Sequence, residues 1–259
     1  LLSGSALLSA HAQDVPAANP GRPTVSTPAT LTPVGYLQFE NGGLYATGSQ
    51  EFANQFSLNQ VTKLTVHPRL QLLTNWQPLA YSNADRDHLT QQGDLALGAQ
   101  AVLLHGENLR PTLALSYFDR VHEGTAPDTD IGSYSQSVLF FLSDDFGNFH
   151  IDTNAILNEQ VDDDTHIRRA QFGQTLSISH PITTKLGLSG ELWHFTQPLS
   201  HGNAVGNLWA ASYTLRPNLV FDAGFDHGLT TTSTQWETFA GFTYLLPHRL
   251  WPERKPNHP

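Results

Sequence analysis

The chain has 259 residues, and 13 Lys or Arg stand against 23 Asp or Glu, a net charge of −10 that argues against a nucleic-acid binder, which needs basic clusters. Charged residues make up only 14% of it, against about 25% in soluble domains, yet no apolar run approaches the roughly 18 to 20 residues of a membrane helix. With no cysteine, disulfides, thiolate zinc sites and cysteine nucleophiles are excluded.

Residues 1–12 pair a short apolar stretch, Leu1 to Leu8, with small residues at Ala10 and Ala12, and read as part of a secretory signal peptide cleaved before Gln13. Residues 13–34 follow, with five prolines (Pro16, Pro20, Pro23, Pro28, Pro33) that bar both a helix and a central strand. They form an extended lead-in, either a periplasmic linker or a plug folded back into the structure.

From Gly35 onward the signal has period two. In NFHIDTNAILNEQ, Phe149, Ile151, Thr153, Ala155 and Leu157 face one way, and His150, Asp152, Asn154, Ile156 and Asn158 the other. The segments Gly93 to Leu104, Pro111 to Arg120 and Asn218 to His227 repeat the pattern. Twelve such strands start near residues 35, 55, 69, 93, 110, 133, 149, 170, 185, 205, 218 and 235. Each spans about ten to twelve residues, enough to cross a bilayer when tilted. Tight turns around 67–68, 105–108, 144–148, 180–184 and 216–217 interleave with longer polar loops near 47–54, 79–92, 121–132, 160–169, 198–204 and 228–234. That alternation predicts an all-β fold: a twelve-stranded antiparallel up-and-down transmembrane β-barrel over residues 35–246, in the bacterial outer membrane, with both ends on the short-turn, periplasmic side. A soluble sandwich or lipocalin-like barrel would carry Lys and Glu on its outer positions. Here the non-apolar face is Gly, Ser, Thr, Asn and Gln, as a lumen requires. The last strand, Gln235 to Leu246, is aromatic-rich and resembles the signal read by the barrel-assembly machinery. Residues 247–259, with four prolines and the bases Arg249, Arg254 and Lys255, form a short periplasmic tail.

The segment GRPTVSTPATLTPVGYLQFENG resembles the opening of the outer-membrane transporter family named for the MetA pathway of phenol degradation. An Arg-Pro pair, a Thr/Ser/Pro-rich stretch and Gly-x-x-Gln-x-Glu-x-Gly fall on Arg22, Pro23, Gly35, Gln38, Glu40 and Gly42. The stretch from Tyr213 to Thr230 and the closing WETFAGFTYLL are also similar. The resemblance implies an exported barrel transporter for small solutes, including aromatic or hydrophobic compounds; it names no binding site.

Strand parity assigns the lumen. Glu40, Asp94, Asp152, Glu191, Asp222, Asp226 and Glu237 fall on the inner face with Lys63 and Arg120, a wall of net −5 if unpaired, which disfavours anions over neutral or cationic solutes. Alternatively these carboxylates pair with Lys63, Arg120 or Arg22 and brace the wall. Arg22 is the candidate plug residue, a guanidinium that a folded-back lead-in would place among lumenal carboxylates. Tyr36, Phe118, Phe141, Trp193, Phe195 and Phe239 also face inward, as a slide for aromatic solutes or as filler. Phe39, Tyr45, Trp76, Phe149, Trp209, Tyr213, Trp236 and Tyr244 face outward, suited to interfacial girdles in contact with outer-membrane lipids.

The thirteen histidines share no metal-ligand spacing and no cofactor motif appears, so neither metal nor cofactor is expected. The run Asp162, Asp163, Asp164 reads as a solvated acidic loop, or a weak calcium or lipopolysaccharide-cation site. A lipid-modifying enzyme would need a Ser and His on the outer wall; His194 with Thr196 is the nearest match, and the His-x-Ser pairing of barrel phospholipases is absent. The alternatives are therefore such an enzyme, or a structural or adhesive barrel without transport, and the expectation is a passive channel without enzymatic activity.

Overall fold

The structure is a computed structural model that describes residues 16–251, apart from 85–86, 108–109, 128, 130–133, 163–164 and 200–201. The expected signal peptide, Asp163, Asp164 and the end of the tail lie outside the described residues.

Every assigned element is a strand: β1 (Leu37–Thr47), β2 (Asn54–His67), β3 (Leu70–Ala84), β4 (Asp87–Gln91), β5 (Leu95–Leu104), β6 (Thr112–His122), β7 (Gln136–Phe146), β8 (Phe149–Val161), β9 (Arg168–Pro181), β10 (Leu186–Gln197), β11 (Gly202–Arg216), β12 (Leu219–Gly228) and β13 (Trp236–Leu245). Each pairs antiparallel with its chain neighbour, save that β3 pairs with both β4 and β5, and β1 pairs with β13. With β2 also paired to β3 the sheet closes on itself, and among the described residues only the short β4 keeps an unpaired edge. β4 and β5 pair with β3 in unbroken register, Ala80 opposite Gln91 and Trp76 opposite Leu95. They make one stave interrupted at Gln92 to Asp94, so the thirteen assigned strands build a twelve-stranded barrel.

The break has a local cause. The Gln92 carbonyl turns away from the ladder to accept from Thr125 N (2.8 Å) and Ala126 N (3.0 Å) of the β6–β7 loop. Gly124 sits so close to Gly93 that a Cβ would lie 2.3 Å from the Gly93 carbonyl carbon. The predicted loop over 79–92 is thus corrected: most of it is strand, the upper end of β3 and its partner β4. Several strands also exceed the expected ten to twelve residues, with β3 and β11 at 15 and β2 and β9 at 14. They continue as polar hairpins beyond the apolar band, as where Asn83 Nδ2 donates to Asn54 Oδ1 at 2.6 Å.

Alternation settles which face points where. Outward positions are apolar and exposed, among them Phe56, Leu72, Leu97, Phe140, Leu176 and Phe221, while the inward ones are polar and buried, among them Gln38, Gln55, Gln71, Gln100, Gln171 and Asn158. This inverts a soluble core and matches lipid outside with a polar lumen inside. Four of the large inward aromatics fit because each lies across a glycine directly opposite on the next strand: Phe118 over Gly98, Phe195 over Gly173, Trp193 over Gly206 and Phe239 over Gly224. A Cβ at those glycines would fall 2.2 to 2.7 Å from the ring. The rings therefore lie flat along the wall, a pairing that also covers the glycines' bare backbone.

Candidate functional site

The lead-in occupies the lumen. It starts at the short-turn end, where Ala18 N donates to Pro217 O (2.8 Å), and then visits the inner wall strand by strand. Asn19 N meets Gln38 Oε1 on β1 (2.9 Å), and Gly21 N meets the Glu40 carboxylate (3.0 and 3.2 Å). Arg22 reaches Asp222 on β12 through Nη2 (3.0 Å) and Nε (3.2 Å). Val25 N, Ser26 N and Ser26 Oγ all donate to Glu191 on β10 (2.5 to 2.7 Å), and Ser26 Oγ also bonds Thr175 on β9 (2.8 Å). Thr27 exchanges two bonds with the Asn154 amide on β8. Ala29 N donates to Ser143 Oγ on β7, Gln100 Nε2 on β5 donates to Pro28 O and Ala29 O, and Thr32 bonds Gln71 on β3. Asn19 Nδ2 donates to Thr30 O at 2.9 Å, so the two ends of the excursion are tied together as in an Ω-loop. A backbone without secondary structure can be buried only where its polar groups find partners, and the inner wall supplies them.

The first-strand motif receives this loop. Gln38, Glu40 and Gly42 alternate on the inner face of β1. Gln38 and Glu40 hold Asn19 and Gly21, and Gly42 leaves room for Arg22. A Cβ on Gly42 would lie 2.4 Å from the Arg22 guanidinium, and one on Gly241, its partner on β13, 2.8 Å away. The guanidinium is also 6.0 Å from the centroid of the Phe239 ring. Gly35, at φ +83°, makes the turn from loop into strand. Its amide donates to Thr65 O and its carbonyl accepts from Leu250 N, while Arg249 Nε donates to Val34 O. The start of the C-terminal tail thus packs on the hinge.

The nine inner-face charges are each placed inward, and none forms an uncompensated ring. Lys63 Nζ lies 2.5 Å from Glu40, both buried, and Arg120 bridges Asp94 (3.3 Å) and Glu123 (3.4 Å). Arg22 pairs with Asp222. Glu191 is capped by the lead-in's donors. Asp152 accepts from Ser143 Oγ (2.5 Å) and lies 3.2 Å from His150 Nε2, whose other nitrogen faces Asp145. Asp226 accepts from Trp193 Nε1 (2.6 Å) and stands opposite Glu237 in the β12–β13 register. With Arg22 added to the wall, seven acids face three bases, so the net −5 expected from strand parity becomes −4, and three of the acids are ion-paired.

Cavities lie on either side of the lead-in. One of about 440 Å³ opens at the short-turn end, among Ala17 to Thr24, His180, Lys185 and Thr214. Another of about 480 Å³ lies above the loop, with Phe118, Leu139, Phe141, Ile156 and Phe195 on one side and Asn59, Val61, Lys63, Leu73, Asn75 and Gln77 on the other. Arg22 and Thr24 line both. The roof of the second is the β6–β7 loop, drawn inward by Gly124 N to Asp94 Oδ1 (2.7 Å), by Gln91 Nε2 to Thr125 O, and by Gln55 Nε2 to Pro127 O (3.3 Å). Tyr134 projects from that loop and bonds Asn75; burial pushes its phenol up to about 12, so it stays neutral.

Of the lumenal aromatics, Phe118, Phe141 and Phe195 line the larger cavity; Trp193 packs against Phe195, and Tyr36 lies under Arg249. Of the outward aromatics Tyr45, Phe149, Trp209, Tyr213 and Trp236 are exposed, while Phe39, Trp76 and Tyr244 are half-buried against neighbours. His194 bonds Asn203 (3.3 Å) and Thr196 Oγ1 accepts from Phe172 N (2.8 Å), so neither is aimed at the other. Among the described residues no group of three or more ligating side chains forms a metal site. The residues that sequence reasoning missed are neutral: Ser26, Thr32, Gln71, Asn154 and Tyr134. Gln71 and Asn154 carry the signal of inner-face parity, which Ser26 and Thr32 in the lead-in and Tyr134 in its loop lack.

The profile of the family described as "Putative MetA-pathway of phenol degradation" matches residues 20–246. Among solved structures the chain is similar to an outer membrane channel from Pseudomonas putida F1, at 14% identity and a TM-score of 0.61 over 84% of this chain and 98% of that one. It is also similar to the NanC porin, at 8% and 0.57 over 80% and 98%, and to the KdgM porin, at 10% and 0.52 over 80% and 98%. No curated protein matches it in sequence. The fold is that of an outer-membrane β-barrel.

Proposed function

The chain belongs to that phenol-degradation family, and from this premise we propose that it is a passive outer-membrane channel for small neutral solutes, narrowed by its own lead-in. The observation that carries the reading is the pair of cavities that share Arg22 and Thr24 across the lead-in loop. In this reading the short-turn end faces the periplasm and residues 16–34 are the plug. Glu40, Lys63, Asp94, Arg120, Asp152, Glu191, Asp222, Asp226 and Glu237 line the path, with Arg22 as the plug's fixed point.

Because Glu40, Asp94 and Asp222 each have a cationic partner, the wall presents less free charge than its seven acids suggest, and the remaining net −4 gives it a weak preference for cations over anions. Aromatic and hydrophobic compounds of small size fit the apolar side of the larger cavity. The outward apolar band contacts membrane lipids, and the aromatic last strand serves the barrel-assembly machinery during insertion. The protein has no enzymatic role and needs no cofactor.

Reconstitution of the purified protein into planar bilayers tests the reading. Discrete, weakly selective conductance steps are expected. Absence of conductance overturns the channel, strong anion or cation selectivity overturns the paired-wall account, and lipid hydrolysis by the same preparation would favour the enzyme.

A further inference from the structure

We propose that the start of the C-terminal tail, Arg249 to Trp251, is a clasp that keeps the lead-in seated in the lumen by holding its hinge, and so sets how often the pore is open. The clasp deepens the plug reading, on which it rests for its effect on conduction. Arg249, Leu250 and Trp251 are then positioning residues, which act on the pore through the lead-in.

The hinge is narrow, and the barrel fixes both of its ends. On one side Thr32 is bonded to the inner wall, through Gln71 on β3 and Thr65 on β2. On the other, β1 starts at Leu37, which pairs with Leu64 of β2 and whose carbonyl accepts from Leu246 N (2.8 Å). A lead-in that leaves the lumen must therefore turn about residues 33–36. Pro33 cannot rotate about φ, whereas Gly35, at φ +83°, has the widest freedom there. Its amide is tied to the wall at Thr65 O (2.8 Å).

The tail reaches this point because of a proline. Past Leu246 the β13–β1 ladder would run into Pro247, which has no N–H to donate. The chain bulges there, and four residues of tail, from 246 to 250, span two of lead-in, from 37 to 35. Leu250 N then donates to Gly35 O (2.8 Å), and Arg249 Nε donates to Val34 O (3.0 Å). The Arg249 guanidinium lies 5.8 Å from the centroid of the Tyr36 ring. The Arg249 stem and the Trp251 indole both close on Gly35, where a Cβ would lie 3.4 Å from each. Two consecutive hinge carbonyls are thus held by the tail, and turning about Gly35 rotates the peptide units that carry them and breaks both bonds. Those bonds go to residues ahead of β1, which belong to no strand, so they add nothing to the barrel ladder. The clasp also lies beyond residue 246, where the family match ends.

The test reads docking of the lead-in on the full chain in detergent micelles. The chain has no cysteine, so Ala29→Cys supplies a single reporter. Ala29 is fully buried against Val102, Ala114 and Phe141, and a water-soluble maleimide reaches that position only when the loop leaves the wall. Deleting residues 247–259 should raise the labelling rate about tenfold to a hundredfold, since two hydrogen bonds and a cation–π contact are lost at a partly exposed site. Arg249→Ala and Trp251→Ala should each raise it by less, and they decide the matter if the deletion impairs assembly. Heat-modifiable mobility should stay that of a folded barrel, and in bilayers the same changes should lengthen the time spent at larger conductance. Arg22→Ala in the reporter background separates the outcomes. If it speeds labelling and the tail variants do not, the clasp is overturned and the plug stands. If neither speeds labelling, or if the parent already labels as fast as Thr30→Cys at an exposed position of the same loop, plug and clasp fall together. Tail variants that lower the unfolding temperature of the barrel with labelling unchanged make the tail a cap on the strand ends and overturn the clasp. Faster labelling in the tail variants without bilayer conductance overturns the channel and leaves the clasp.

Discussion

Arg22→Ala should free the lead-in without unfolding the barrel. Arg22 holds Asp222 by two hydrogen bonds, with the Arg side chain 19% and the Asp side chain 3% exposed. Removing one partner of a buried pair costs about 3–5 kcal/mol, because the other charge stays buried and unpaired. The exposure of Arg22 argues for the lower end, about 3 kcal/mol, which is on the order of a hundredfold in an equilibrium constant. The closed ladder of backbone hydrogen bonds contains no lead-in residue, so the loss falls on the balance between docked and undocked loop. The remaining anchors, at Glu40, Glu191 and Asn154, contribute about 0.5–1.5 kcal/mol for each neutral hydrogen bond and more where the carboxylate accepts. Single-channel recording should therefore show the variant spending far more time at larger conductance, and limited proteolysis should cut residues 16–34 sooner, while heat-modifiable mobility stays that of a folded barrel. Conductance and protection equal to the wild type would refute the reasoning, since the pair would then contribute nothing to seating the loop.

Gly42→Ala puts a Cβ about 2.4 Å from the Arg22 guanidinium and should reproduce the Arg22→Ala recordings; combined, the two should do little more than either alone, since both act on one contact. Leu176→Arg, on the exposed outer face of β9, should destabilise the barrel in lipid by about 2–4 kcal/mol, read from unfolding followed by tryptophan fluorescence. Gly124→Val should expel the β6–β7 loop from the mouth, because that site touches the Gly93 backbone, and protease susceptibility near residues 123–127 would report it. A spectrophotometric titration should show one tyrosine ionising only near pH 12, that of Tyr134; burial disfavours the phenolate and outweighs the Asn75 bond that favours it, so the phenol stays neutral below that pH. Tyr134→Phe should abolish that late step.

The strands are legible because a closed barrel forces a period of two on every stave, and inner-face parity follows from it without knowing any partner. β4 is not legible. The segment DHLTQ alternates weakly, and it pairs only because β3 runs on beyond the apolar band and the β6–β7 loop interrupts the stave below it. The glycines under Phe118, Phe195, Trp193 and Phe239 are equally hidden, since opposition across strands depends on register, which composition does not supply. Charge counting fails for a related reason: it sums Asp222 and Arg22 but does not bring them together across 200 residues of sequence.

The lead-in is the instructive case. Its own residues, rich in Pro, Ala, Ser and Thr, look like a linker because a segment that fills a polar lumen needs no apolar face. What it needs is a partner for each backbone N–H and C=O that leaves water. Those partners are written in the wall, at inward positions of the short-turn half: Gln38 and Glu40, Gln71, Gln100, Ser143, Asn154, Glu191. A buried plug of irregular backbone is therefore signalled less by its own sequence than by amides and carboxylates placed at one height on many strands, a pattern that an open water-filled lumen has no need to keep at a single level.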